Sequence, residues 1–305
     1  MKHTRNPLKK AAKLWLTAGL VCAALLPALS CRRKAAPAPP ITEDEARPLI
    51  DELLAGMTPS ADGAFFDLQL DGCWYRVAVP EASVALGPIG LLPGDIAGWT
   101  ATPLGADATV PLLLATQEGE SPLPLDLELQ LTFAKAENAL SVAAVSMGTG
   151  RGPVAAQPET LTFIDPALNL VFRLPQNWKD DMVWHLTTEP GSLYGEDLAL
   201  ALSVPLAPYS TMPPATLLCL YAYPNPLTED ARAYIRPFNI LGENDAWTFA
   251  LYFPTDVQWD EAVPETQALY QQAAGHIPAI MEAFLQENQV TMREDFHNDP
   301  NWPRN

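Results

Sequence analysis

Cysteine, histidine and the short motifs of common catalysts are what this chain of 305 residues has least of. Four cysteines and four histidines form neither a CxxC nor an HExxH, the patterns on which compact zinc sites are built. No Gly-x-Ser-x-Gly elbow is present to raise a serine nucleophile. The run Gly148-Thr149-Gly150-Arg151-Gly152 is followed by no Lys-Ser/Thr pair and opens no helix, so it reads as a linker and not a phosphate cradle. Charge is lacking by region. No acid precedes residue 42, whereas all 36 acids follow it, and beyond residue 34 only ten cations face them, a net of −26. Such a surface repels phosphate backbones, so nucleic acid is not an expected partner.

What the chain does have begins at its N-terminus. MKHTRNPLKKAAK is cationic, and Leu14 to Ser30 is an uncharged apolar run. Its length fits both a signal peptide and an uncleaved anchor helix. The cation excess on the N-terminal side favours export of everything that follows. Ala28-Leu29-Ser30-Cys31 resembles the lipobox of bacterial lipoproteins, in which the cysteine receives acyl chains and becomes the first mature residue. That resemblance implies a signal peptide over 1–30 and a lipid anchor at Cys31. It places the protein on a bacterial membrane, the outer one where the host has two. Two or more acyl chains anchor stably where one does not. Residues 31–41, with AAPAPP at 35–40, then form a Pro/Ala-rich spacer.

Hydrophobic residues make up 48% of the sequence, enough for a sizeable core. Thr42 and Glu45 form a capping-box pattern ahead of Leu49, Ile50, Leu53 and Leu54, which predicts a helix ended by Gly56. FFDLQLDGCWYRVAV predicts a β-hairpin on Asp71-Gly72. A two-residue loop pairs Leu70 with Cys73, Leu68 with Tyr75 and Phe66 with Val77 on one face. On the other face Asp67 meets Arg76, a cross-strand ion pair that makes Arg76 structural. Residues 86–124 read as loops with short strands, and LPLDLELQLTF and ALSVAAVSM as two longer strands. The glycine and proline of 148–160 mark a linker. Beyond it, strands are predicted in LTF, LNLVFRLP, MVWHLTT, LALALSV, ATLLCLYAY and AWTFALYF. One helix, kinked at Pro278, is predicted from Pro264 to Asn288, with Leu269, Ala273, Ile277, Ile280 and Phe284 on its apolar stripe. Residues 291–305 read as a loose tail.

The expected fold class is therefore α+β in two domains, 42–147 and 161–290, each an antiparallel sheet with helix packed on it. FRLPQNW, YAYP, LGENDAWTFALYFPTDVQWD and the closing helix resemble secreted domains of PsbP type. The resemblance implies an α/β/α sandwich over 161–290 and a non-enzymatic binding or accessory role.

Candidate site residues are few. Cys73 and Cys219 lie in apolar stretches and read as buried free thiols, a disulfide being the alternative in an oxidising compartment. His185 sits on a strand, His276 beside the helix stripe and His297 in the tail. Asp256, Asp260 and Glu261 form an acidic loop before the last helix, read as solvated and not as a calcium site. Trp178 and Trp259 stand at strand or loop ends. With the three acids they make the candidate ligand surface. No catalytic residue, metal or cofactor is assigned. The expected role is that of a lipid-anchored envelope protein that binds an unidentified envelope protein or ligand. The alternative is a hydrolase of envelope polymer working through an acidic and aromatic cleft.

Overall fold

The computed structural model describes residues 39–60, 63–79, 90–115, 121–136, 139–155, 157–185, 197–235 and 239–293. The expected signal peptide over 1–30, Cys31, most of the expected spacer and His297 lie outside these residues. Local signals decide the first elements. Thr42 caps α1 (Glu43–Ala55), accepting from the Glu45 amide while the Glu45 carboxylate accepts from the Thr42 amide, and Gly56 ends the helix. Ala46, Ile50 and Leu54 are its buried residues.

Strand β1 (Thr58–Pro59) pairs with β2 (Phe65–Leu70), and β2 with β3 (Cys73–Ala78). The β2–β3 hairpin has the predicted register at every pair from Leu70–Cys73 to Phe66–Val77. Asp71 (φ 47°) and Gly72 (φ 77°) are both left-handed, the geometry in which a two-residue turn follows the twist of its strands. Phe66, Leu68, Leu70, Cys73, Tyr75 and Val77 are all buried together.

The following strands, β4 (Gly90–Pro93), β5 (Gly98–Ala101), β6 (Gly105–Ala115), β7 (Leu123–Ala136), β8 (Ala139–Thr149) and β9 (Gly152–Val154), form a sheet of their own. Its order is β4-β6-β7-β8-β9, with β5 also on β6. Two expectations are corrected here. Residues 105–115, within a stretch read as loops with short strands, are an 11-residue interior strand of this sheet. Pro111 hid it; the pairing with β7 shifts register between Pro111 and Leu113, and an irregularity of this kind is where a strand tolerates proline. The glycine-rich stretch at 148–152, read as linker, is the β8–β9 hairpin.

The chain then returns to the first sheet. Strand β10 (Thr160–Asp165) lies parallel to β3, and β11 (Leu170–Pro175) completes the order β1-β2-β3-β10-β11. This sheet thus takes strands from both sides of the expected linker. A short helix α2 (Trp178–Asp181) leads to β12 (Val183–His185), β13 (Asp197–Val204), β14 (Ala215–Pro224), α3 (Glu229–Tyr234), β15 (Ile240–Glu243) and β16 (Trp247–Tyr252). With β17 (Thr291–Met292) these strands form a third sheet, β12-β13-β14-β16-β15-β17. Strand β17 lies in the expected loose tail. It approaches so closely that a Cβ on Gly242 would meet the Thr291 carbonyl oxygen.

The predicted kinked helix is two helices, α4 (Pro264–Ala274) and α5 (Ile277–Glu287), broken at Gly275-His276. Proline has no N–H to donate and its ring would clash with the carbonyl four residues back, so Pro278 sits in the first turn of α5. The predicted stripe is buried, Leu269 partly so. The whole is mixed α+β, mostly antiparallel.

The first sheet is covered on both faces. Tyr75, Val77, Ile164 and Val171 join α1 and the second sheet in one core. Leu161, Phe163, Leu170, Phe172 and Leu174 join the third sheet, α4 and α5 in the other. Phe284 of α5 stacks on Phe172 at 4.7 Å and meets Phe249 edge-on at 5.1 Å. Contacts of this kind are worth about 0.5–1.5 kcal/mol each beyond the area they bury. On the far face of the third sheet, Ala231 and Ile235 at α3 cover Tyr223 and Ala250.

Asn288, just after α5, joins all three sheets. Its side chain accepts from the Val171 amide (2.9 Å) and donates to the Val171 carbonyl (2.7 Å) on the outer edge of β11. Its own carbonyl accepts from Arg151 of the β8–β9 turn (2.7 Å) and from Asn244 of the β15–β16 turn (3.1 Å). Burial draws the Arg151 guanidinium below its ordinary pKa, with Asp245 opposing.

Candidate functional site

The turn PQNWKDD, residues 175–181, positions the first group of the site. Trp178 opens α2 and is buried, 3% exposed, in the core shared by the first and third sheets. It reaches the expected ligand surface only as part of the lining of a hollow. The indole serves as a wall and meets His276 edge-on at 5.8 Å, while the Trp178 backbone carbonyl accepts from Trp184 Nε1 at 3.0 Å. Around that contact is a hollow of about 480 Å3 lined by Asn177, Asp180, Asp181, Tyr209, Gln272 and His276, with apolar residues beneath. A volume of this order suits one small ligand.

Three elements meet there. Turn α2 supplies the carboxylates: Asp180 is paired with Lys179 at 2.8 Å and Asp181 accepts from Asn177 at 2.7 Å. The end of α4 supplies Gln272, and the break before α5 supplies the exposed His276. The loop after β13 supplies Tyr209, half of whose surface faces solvent (51%). That loop is held in place: the Tyr209 and Ser210 amides both donate to the Leu206 carbonyl, and Ser210 Oγ donates to Asp260 at 2.9 Å.

Asp260 thus belongs to the site indirectly, as the residue that holds the Tyr209 loop. It also accepts from the Ala262 amide. The other predicted residues lie behind it. Asp256 accepts from Gln258 at 2.8 Å, and Gln258 accepts from the Thr216 amide at 3.1 Å. Trp259 lies against Tyr270 at 5.5 Å. Burial, and then Asp256, push the Tyr270 phenol above its ordinary pKa. Glu261 is exposed. The structure therefore places Trp178 in the wall of the hollow and Asp260 behind the Tyr209 loop, and leaves Trp259, Asp256 and Glu261 on the neighbouring loop. Asn177, Asp180, Asp181, Tyr209 and Gln272 were not singled out from the sequence. The crowding of amide and carboxylate residues around Trp178 in QNWKDD was the signal available.

The chain matches no protein-family model, no curated protein and no solved structure.

Among the described residues, no group of three or more His, Cys, Asp or Glu is placed to hold a metal ion. No helix among them is long and apolar enough to cross a membrane. Cys73 and Cys219 are both unpaired, Cys73 buried and Cys219 half-buried, and burial pushes the Cys219 thiol up. His185 lies in β12 opposite Ala201. What the hollow offers is recognition chemistry. Amides and carboxylates give donors and acceptors around two ring systems and an imidazole.

Proposed function

We propose that this is an exported bacterial lipoprotein, anchored through acyl chains on Cys31, that binds a component of the cell envelope in the Trp178–His276 hollow without transforming it. The meeting of α2, the α4–α5 break and the Tyr209 loop around that hollow is the observation that carries the reading. Both of its carboxylates in the α2 turn are already engaged, Asp180 by Lys179 and Asp181 by Asn177. That arrangement suits fixed hydrogen-bond acceptors better than a carboxylate pair free to shuttle protons. The N-terminal apolar run ending at Cys31 supports the anchoring. The finer fold reading belongs to the same proposal: an α/β/α unit of PsbP type over 161–290, whose β10 and β11 also complete the first sheet begun by β1–β3. The helices α4 and α5 on one side of the third sheet and α3 on the other support it.

Cys31→Ala in the full-length protein should abolish palmitate incorporation and release the protein from membranes. Retention on membranes would overturn the lipid anchor in favour of an uncleaved helix. Tyr209→Ala, which removes an exposed ring and no core contact, should abolish saturable binding of the detergent-solubilised protein to isolated cell envelopes. Unchanged binding would overturn the assignment of the hollow.

A further inference from the structure

A second hollow lies beside the first and shares its Asn177–Asp180 wall. It has a volume of about 570 Å3 and is otherwise lined by Trp74, Glu159, Pro175, Gln176 and Lys179. The turn between them is a built saddle. The Lys179 amide donates to the Gln176 carbonyl, and those of Asp180 and Asp181 to the Asn177 carbonyl. The Lys179 carbonyl accepts from Arg76 at 2.9 Å, and its ammonium lies 4.8 Å from the centre of the Trp74 ring. Trp74 is half-buried and packs against the core beneath. Each hollow alone is the size of a site for one small ligand. Joined across the saddle they offer a track with an aromatic group at each end.

We propose that the two hollows are one groove for a linear, neutral glycan, running from Trp74 across the Asn177–Asp180 saddle to His276 and Tyr209. The proposal rests on the reading of the first hollow as a binding site and names the ligand it takes. Gln176, Asn177 and Gln272 offer paired donors and acceptors, and Glu159, Asp180 and Asp181 offer acceptors. Sugar hydroxyls, which donate and accept at once, satisfy such a mixed set along its whole length. The excess of acid in the chain repels an anionic polymer. A cationic peptide would have to break into the Lys179–Asp180 pair to use that carboxylate. The half-exposed ring of Tyr209 suits the C–H face of a pyranose, an apolar surface bounded by hydroxyls, and Trp74, with the Lys179 ammonium over its ring, bounds the other end.

The test is calorimetric titration of the full-length protein in detergent with N-acetylglucosamine oligomers. The hexamer should bind at least about tenfold more tightly than the dimer. Gln176 and Gln272 are exposed residues at opposite ends of the groove, so their loss should leave the melting temperature unchanged. Gln176→Ala should weaken the hexamer about fivefold and leave the dimer unchanged, whereas Gln272→Ala should weaken both. A hexamer no tighter than the dimer, or insensitive to Gln176→Ala, overturns the continuous groove. Failure of the oligomers while a lysine-rich peptide binds, and loses binding on Tyr209→Ala, overturns the glycan and leaves the first hollow standing as the site. Failure of all of these, with envelope binding untouched by Tyr209→Ala, overturns both.

Discussion

Arg76 and Arg173 occupy opposite faces of the first sheet and are equally hidden, at 3% and 5% exposure, yet they are held in different ways. Arg76 reaches across the hairpin to a partner nine residues away. Its Nε and Nη2 donate to the two oxygens of Asp67 at 2.7 and 2.8 Å. Its guanidinium lies 4.0 Å from the ring centre of Phe65 and 4.4 Å from that of Trp184. Arg173 waits for a partner 114 residues later. Its Nη1 donates to Thr162 at 2.7 Å, and its Nε and Nη2 both lie 2.8 Å from one oxygen of Glu287, with only Nε aligned to donate. Beside this row Tyr75 Oη is buried with no partner among the described residues. Each guanidinium keeps one buried nitrogen without a hydrogen-bond partner among the described residues, Nη1 of Arg76 and Nη2 of Arg173. The difference lies in the grip: two oxygens of a local carboxylate hold Arg76, and one oxygen of a distant carboxylate holds Arg173.

Removing the carboxylate of the local, two-oxygen pair should cost most. Asp67→Ala strands a guanidinium that is almost wholly buried, and about 3 kcal/mol should be lost in urea denaturation. A loss below about 1 kcal/mol would mean that the rings and the Lys179 carbonyl suffice, and that the two arginines do not differ as described. Glu287→Ala should cost less, about 1–2 kcal/mol, because Glu287 is a quarter exposed (25%) and water can replace it. A larger loss than that of Asp67→Ala would reverse the comparison.

Tyr75→Phe should change stability least, by about 0.5 kcal/mol or less at neutral pH, since it deletes a hydroxyl that has no partner. It carries a pH signature as well. Burial first, and then Cys73, push the Tyr75 phenol up to about 12. The folded pKa is the higher one, so the contribution of this group is complete below the ordinary value near 10. It is lost as pH rises from there toward 12. Wild-type protein should lose stability across that window by an increment that Tyr75→Phe removes. An unchanged alkaline profile in the variant would show that Tyr75 is not the titrating group.

The same contrast governs what the sequence discloses. The Asp67–Arg76 pair, the Asp71-Gly72 turn and the Thr42–Glu45 capping box each depend on residues less than ten positions apart, and all were legible. Strand β6 was obscured because proline and alternating small residues break the pattern of a central strand. The pairing of β3 with β10 joins Trp74 to Leu161 across the whole second sheet, and nothing local encodes such a return. The six residues of α3 are too few to show a period. The candidate site suffers most from this rule. Trp178, Tyr209, Gln272 and His276 come from three separate segments, and only Trp178 stood out as a candidate ligand residue.

The grip of Asn288 on Val171 bears on how this protein keeps to itself. Among the described residues, the outermost strands β1, β4, β5, β9, β12 and β17 have two to four residues each. Strand β11 is a six-residue edge, and there Asn288 occupies the amide and carbonyl of Val171. An open edge is a template for further strands. The side chain of a single asparagine therefore closes part of one such edge and takes from an approaching chain the first rung of the ladder it would build.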